Sequence, residues 1–201
     1  MTRGAFPRKT AGPAVTGTAF LASLIATGRL HGIGIGSTLA EVDRALPHRR
    51  VDVVGEDGAS LRRDYGFVEV YFNPGDEWVA SGGSFELHRL AGAPGQAARW
   101  AAGTGVAFTR YTAWADVRAA LSRIPQAPAL TLTDQGGFRE YRAEASGVSV
   151  LVVDDAEEER GAHAGHGDVW SVSLWRRRSG PAGASTRMIL RHHTWTPPRL
   201  P

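Results

Sequence analysis

The arrangement in this chain closest to a metal-ligand motif is His163-Ala164-Gly165-His166, with Asp168 two residues further on. Zinc asks for three or four ligands in tetrahedral array, and the spacing fixes no third one, so a polar surface loop without metal is expected. His192-His193 adds no more. Asp154-Asp155 and Glu157-Glu158-Glu159 form a carboxylate run. Acid–base chemistry needs two carboxyls in different environments at a defined separation, whereas a run of like charges repels itself and stays solvated. Its expected use is to steer a basic partner. Gly32-Ile33-Gly34-Ile35-Gly36-Ser37 precedes a helix pattern, a place where phosphate can bind. It lacks the P-loop lysine and the full dinucleotide fingerprint, so a tight turn is the expectation. His88 could act as a general base beside Glu69 or Glu86, but no Gly-x-Ser-x-Gly nucleophile elbow occurs. Arg176, Arg177, Arg178, Arg187, Arg191 and Arg199, near Trp175 and Trp195, could contact single-stranded nucleic acid. Pro181, Gly183, Pro197, Pro198 and Pro201 read instead as a mobile tail, and nucleic acid is not the expected partner.

The elements that must position these groups sit in a chain of 201 residues with 42% hydrophobic and 21% charged residues, an ordinary globular composition. Cysteine is absent, which removes disulfides, thiolate metal sites and cysteine nucleophiles together. The net charge is +3, and Lys9 is the sole lysine. The apolar run at 19–26 follows Arg3, Arg8 and Lys9, as a signal peptide would, but eight residues cannot span a bilayer. Phe20, Leu21, Leu24 and Ile25 lie on one helical face that Thr18 would cap. A cytoplasmic protein without a membrane partner is expected.

Laid side by side, the two halves read alike. Residues 37–46 and 112–121 both open on a hydroxyl residue and carry an acid in the first turn, Glu41 or Asp116. Thr38 and Glu41 have capping-box spacing. Leu39, Val42 and Leu46 recur as an apolar stripe, as do Trp114, Val117 and Leu121. A further helix is expected ahead of each, at 19–26 and 96–102. Four strand-like runs follow each: 51–54, 61–63, 67–72 and 84–89, then 130–133, 138–140, 148–153 and 171–176. The pattern is α-α-β-β-β-β twice, an α+β fold of antiparallel meanders with helices on one face. The predicted divisions are a mobile segment 1–16, repeats at 17–92 and 93–177, and a basic tail at 178–201. The two meanders could join edge to edge or stay separate.

Strand alternation assigns Val68, Val70, Phe72, Phe85, Leu87, Val172 and Leu174 to the helix-covered face. Phe67, Glu69, Tyr71, Glu86, His88, Ser171, Ser173 and Trp175 go to the open one. The register of 148–153 is left open.

A helix–loop–helix on a four-stranded meander, occurring twice, resembles the tandem-repeat architecture of the β-lactamase inhibitory protein. The run Gly34-Ile35-Gly36-Ser37-Thr38-Leu39-Ala40-Glu41-Val42, with Ala45-Leu46, is similar to the helix start of BamE/SmpA-type lipoprotein domains. The strand Tyr-Gly-Phe-Val-Glu-Val-Tyr-Phe at 65–72 resembles strands of bacterial immunity-type proteins. These resemblances imply protein binding through the sheet face and loops, and they carry no catalytic residue to transfer. Members of the inhibitor and lipoprotein groups are exported, and inhibitors of this type carry disulfides, which a chain without cysteine does not share.

The expected function is therefore that of a non-enzymatic protein-binding module, an immunity or inhibitor protein for a bacterial protein partner, needing no cofactor. Its expected contact residues are Phe67, Glu69, Tyr71, Trp78, Glu86, His88, Trp175 and Arg176, since aromatic and arginine side chains dominate binding hot spots. Substituting Tyr71 or Trp175 is expected to weaken binding and spare stability. The alternative is a small enzyme or ligand-binding domain using His88 with Glu69 or Glu86.

Overall fold

The computed structural model describes residues 15–46 and 49–175. The chain enters through strand β1 (Val15–Thr16), which pairs parallel with β6 (Val106–Ala107), so residues 15–16 are tied down although the sequence placed them in a mobile segment. Helix α1 (Gly17–Thr27) follows. Its cap is Thr16, whose side chain accepts from the Ala19 N–H, and not Thr18. The helix thus starts two residues earlier than expected, and its first residue, Gly17, lies against the ring of Phe108, where a Cβ would come within 2.5 Å. Helix α2 (Leu39–Ala45) opens on the capping box read from the sequence: Thr38 accepts from the Glu41 N–H at 3.2 Å, and Glu41 accepts from the Thr38 N–H at 2.8 Å. Such a cap stabilises a helix by about 1 kcal/mol.

Strands β2 (Val51–Val54), β3 (Leu61–Asp64), β4 (Val68–Asn73) and β5 (Val79–Phe85) then form an antiparallel meander. Two helices follow, the single turn α3 (Arg89–Gly92) and α4 (Pro94–Thr104), and after β6 comes α5 (Trp114–Leu121). The opening Thr112 of the second half does not cap α5; Ala113 is the cap residue, without a side-chain bond. The second meander comprises β7 (Thr131–Asp134), β8 (Phe138–Ala143), β9 (Val148–Val153) and β10 (Val169–Trp175).

The meanders join edge to edge through β5 and β10 into one eight-stranded antiparallel sheet, ordered β2-β3-β4-β5-β10-β9-β8-β7. Register settles the open face assignment: Val150 pairs with Val172, both inward, and Ser149 pairs with Ser173, both outward. The inward residues Val68, Val70, Phe72, Phe85, Val148, Val150 and Val172 share one core with Leu21, Leu24 and Ile25 of α1, Val42 of α2, Trp100 of α4 and Val117 of α5. The helices therefore cover one face. Among the described residues, no helix is long and apolar enough to cross a membrane.

One strand departs from its sequence reading. The run 84–89 is a strand only at Ser84 and Phe85; β5 extends upstream through Ala80-Ser81-Gly82-Gly83, and His88 is the cap residue just ahead of α3. Glycine has poor strand propensity, so this segment reads as loop from sequence, yet the sheet needs it. A Cβ at Gly83 would lie 3.0 Å from the Glu69 carbonyl oxygen.

The inner face also buries charge. Arg63, 3% exposed, reaches Asp43 of α2 at 2.6 Å and Asp52 of β2 at 3.3 Å, with Phe72 beneath its guanidinium at 5.6 Å. Arg50 joins the same two carboxylates at 3.1 and 3.3 Å. This network clips α2 to the edge of the sheet.

Candidate functional site

On the open face the pairing register builds rows of side chains. One row crosses Glu69, Ser84 and Ser173, and the next crosses Tyr71, Gly82 and Trp175. Gly82 leaves a gap that the two flanking rings close: Tyr71 and Trp175 stack at 5.4 Å between centroids and 27° between planes. A Cβ on Gly82 would meet the Trp175 ring at 2.6 Å. Trp175 is 38% exposed, so the pair offers an aromatic platform to solvent.

Glu69 sits beside this platform and is 3% exposed. The Tyr71 hydroxyl donates to it at 2.5 Å, Arg89 forms a salt bridge at 2.9 Å, and Arg62 stands at 3.7 Å. Burial pushes the Glu69 carboxyl up, but the Tyr71 hydrogen bond and the two arginines outweigh it and hold the carboxyl below its ordinary range. The reciprocal effect falls on Tyr71, whose phenol is pushed up to about 12, first by burial and then by the Glu69 hydrogen bond and charge. Tyr71 is thus a fixed donor to a buried carboxylate as well as a surface ring, and the expectation that its removal spares stability does not hold for this geometry.

At the other end of the face, His88 stacks flat on Trp170, with 4.2 Å between centroids and 6° between planes. Phe138 meets Trp170 edge-on at 5.5 Å, and His163 approaches it at 6.3 Å. His88 Nδ1 lies 3.4 Å from the Trp170 carbonyl oxygen and 3.6 Å from Glu86. Burial, only partly offset by the contact with the Trp170 carbonyl, lowers the imidazole to about 4. It is therefore neutral at pH 7, and its approach to Glu86 is a polar contact, not an ion pair.

The remaining expected residues go elsewhere. Phe67 is fully buried, with Phe108 at 5.3 Å, Trp100 at 5.4 Å and Phe85 at 6.5 Å. It precedes β4, and Gly66, at φ 103°, breaks the alternation that had put it outward. A partner cannot touch it. Trp78 is half-buried and packed against the core, its carbonyl accepting from Leu39 at the start of α2. Arg176 lies outside the described residues, as do 1–14 and the rest of the basic tail.

Asp168, fully buried, is held by Arg160 through two hydrogen bonds of 2.6 and 2.8 Å and by the Gly165 N–H at 3.1 Å. It fastens the loop that carries His163 and His166. Among the described residues, no group of three or more His, Cys, Asp or Glu side chains could hold a metal ion. The glycine run before α2 directs its amides to protein: Gly36 donates to Ala80 and Gly34 to the Ser37 hydroxyl. On the covered face, a cavity of about 30 Å³ lies between α1, residues 30–35 and β4, β5 and β10. Its lining is mainly apolar and it holds the space of only a few waters, so it has no room for a substrate.

Sequence reading missed Gly82, Trp170, Phe138, Arg62 and Arg89. Arg89 carried a signal as the last residue of an alternating run, but Glu69 became its partner only through the sheet register. No protein-family model, curated protein or solved structure matches the chain.

Proposed function

We propose that the chain is a non-enzymatic binding module, of immunity or inhibitor type, that takes a bacterial protein partner on its open sheet face and the adjoining loops. The observation that carries this reading is the Tyr71–Trp175 platform, exposed on a sheet face left bare by the helices. Wide, rigid aromatic surface on a flat scaffold suits macromolecular contact, since such rings bury much area at little rotamer loss. Trp170 and Phe138 extend the aromatic surface toward the far end of the face. The reading keeps two copies of one ααββββ unit as its architectural origin. Helices ahead of a four-stranded meander in each half, with β6 set between α4 and α5 in the second, and a strand order that mirrors about the β5–β10 pair support that origin.

His88 as a general base with Glu69 or Glu86 has less behind it. An imidazole lowered to about 4 is a weak base at neutral pH, and Glu69 is already committed to Tyr71 and Arg89.

The test is to isolate the partner from the native host and titrate it against wild type and Trp175→Ala. A hot-spot residue contributes about 2 kcal/mol, so Kd should rise roughly 30-fold. An unchanged Kd would remove the platform from the interface.

A further inference from the structure

Strand β2 forms one outer edge of the eight-stranded sheet, with β3 on one side and, among the described residues, no strand on the other. Of the six large apolar side chains exposed among the described residues, three stand on this strand: Val51 at 64%, Val53 at 43% and Val54 at 58%. Sheet edges are commonly guarded by lysine, proline or a bulge, because their free amides and carbonyls would otherwise pair with another strand. Strand β2 carries none of these. Its one charge, Asp52, is already engaged by Arg50 and Arg63, each at 3.3 Å. Val54 faces the helical side and is still exposed, so α2 does not overhang the edge. The opposite edge, β7, shows a single exposed leucine, Leu132, between two threonines.

The backbone fixes how a strand docks here. Hydrogen-bonded and non-hydrogen-bonded pairs alternate along an antiparallel ladder. The Gly55 N–H donates to the Ser60 carbonyl at 2.9 Å, so Val53 and Val51 exchange bonds with β3, and the amides and carbonyls of Asp52 and Val54 point out from the edge. A second copy of the same strand meets them antiparallel about a twofold axis normal to the sheet. Facing residues must then share a sheet face, which leaves the axis on Asp52, on Val53 or on Val54. An axis on Asp52 sets that carboxylate against itself, and an axis on Val54 sets Asp52 against Glu56; like charges directly opposite are unfavourable. An axis on Val53 sets valine against valine and Asp52 against Val54. It also brings Arg50 opposite Glu56 of the second copy, an attractive pair at each end.

We propose that two copies of this chain pair through β2, antiparallel about Val53, into one continuous sheet with both open faces on the same side. The pairing uses the outward groups of Asp52 and Val54 on each copy and covers their exposed valines. Four residues from each copy stay well below the roughly 1,200 Å² of a standard interface, so the dimer is weak, with a Kd on the order of 100 μM. The inference concerns the free chain and does not depend on the partner reading.

Sedimentation equilibrium of the full chain from about 10 μM to 1 mM brackets that value and should show monomer passing to dimer. Val53→Lys, which puts two ammonium groups side by side on the axis, should leave a monomer throughout with an unchanged circular dichroism spectrum. Glu56→Arg, on an exposed turn, should raise Kd several-fold. The chain has no cysteine, so Val53→Cys supplies a lone thiol. On the axis its Cα would lie about 4.5 Å from its copy, within the span of a disulfide, and mild oxidation should cross-link the dimer. Val51→Cys, about 13 Å along the strand from its copy, and Leu132→Cys should not cross-link. A monomer at the highest concentration would overturn the proposal. So would species larger than a dimer, which place β2 against β7 of the next copy in an open series. Val51→Cys or Leu132→Cys cross-linking as fast as Val53→Cys, or a Kd indifferent to Glu56→Arg, would overturn the register. No partner is present, so failure here leaves the partner reading to its own test.

Discussion

Tyr71 and Trp175, 104 positions apart in sequence, stack across Gly82, the one residue between them in the sheet row. The contact exists because Gly82 has no side chain. Gly82→Ala should place a methyl group 2.6 Å from the indole and 2.9 Å from the Leu174 carbonyl oxygen. The ring can move but the backbone cannot, so the variant should lose about 1–3 kcal/mol and the near-ultraviolet circular dichroism of the stacked pair. Unaltered stability together with an unaltered spectrum would show that the rings do not meet there.

Phe67 and Trp175 were both expected on the open face, and substitution should now separate them. Phe67→Ala leaves a hole among Phe85, Trp100 and Phe108 and should cost about 3–5 kcal/mol in urea unfolding. Trp175→Ala should cost about 1 kcal/mol or less, the loss of one partly exposed stacking contact. Equal costs would contradict the two-sided sheet.

The acid sensitivity of the fold should follow His88 first. Its imidazole titrates at about 4 when folded and near 6.5 when unfolded, so the unfolded chain binds the extra proton between those values. Stability should therefore be fully present above about pH 6.5 and fall as pH drops toward 4, by on the order of 2–3 kcal/mol from this group. Glu69, whose carboxyl is lowered, adds its loss below its ordinary value of 4.5. The check is to measure unfolding free energies between pH 7.5 and 4.5: His88→Gln should flatten the slope, and a slope equal to wild type would reject the assignment.

Asp168 holds the loop that follows β9. Asp168→Asn keeps the shape but removes the charge paired with Arg160, so the loop should open and tryptic cleavage after Arg160 should quicken several-fold. The global cost should be about 1–3 kcal/mol, the range for leaving a buried polar group poorly matched. Cleavage at the wild-type rate would mean that the loop is held by other contacts.

What was legible in the sequence is what local pattern encodes. The α2 capping box, the paired meanders and the inward set Val68, Val70, Phe72, Phe85 and Val172 follow from spacing and alternation alone. What was not legible depends on register. Gly82 and Gly83 read as loop because their role is to admit a ring and a backbone from neighbouring strands. Arg63 alternates in step with the inward Leu61, and a charged residue at that position gives no local sign of burial because its partners Asp43 and Asp52 come from α2 and β2. Phe67 was misplaced by one turn residue, since Gly66 at positive φ reorients the chain before β4 begins. Glu69 and Arg89 are 20 positions apart, and only the sheet shows them as a pair.

The central claim is that the bare sheet face is the contact surface, and hydroxyl-radical footprinting of the partner complex tests it most directly. Side-chain oxidation at Trp175 and Tyr71 should drop several-fold relative to the free chain, while the exposed edge residues Val54 and Leu132, whose register faces the helical side, keep their reactivity. Undiminished oxidation of Trp175 and Tyr71 in a saturated complex, with protection appearing at Val54, Leu132 or elsewhere on the helical side, would contradict it.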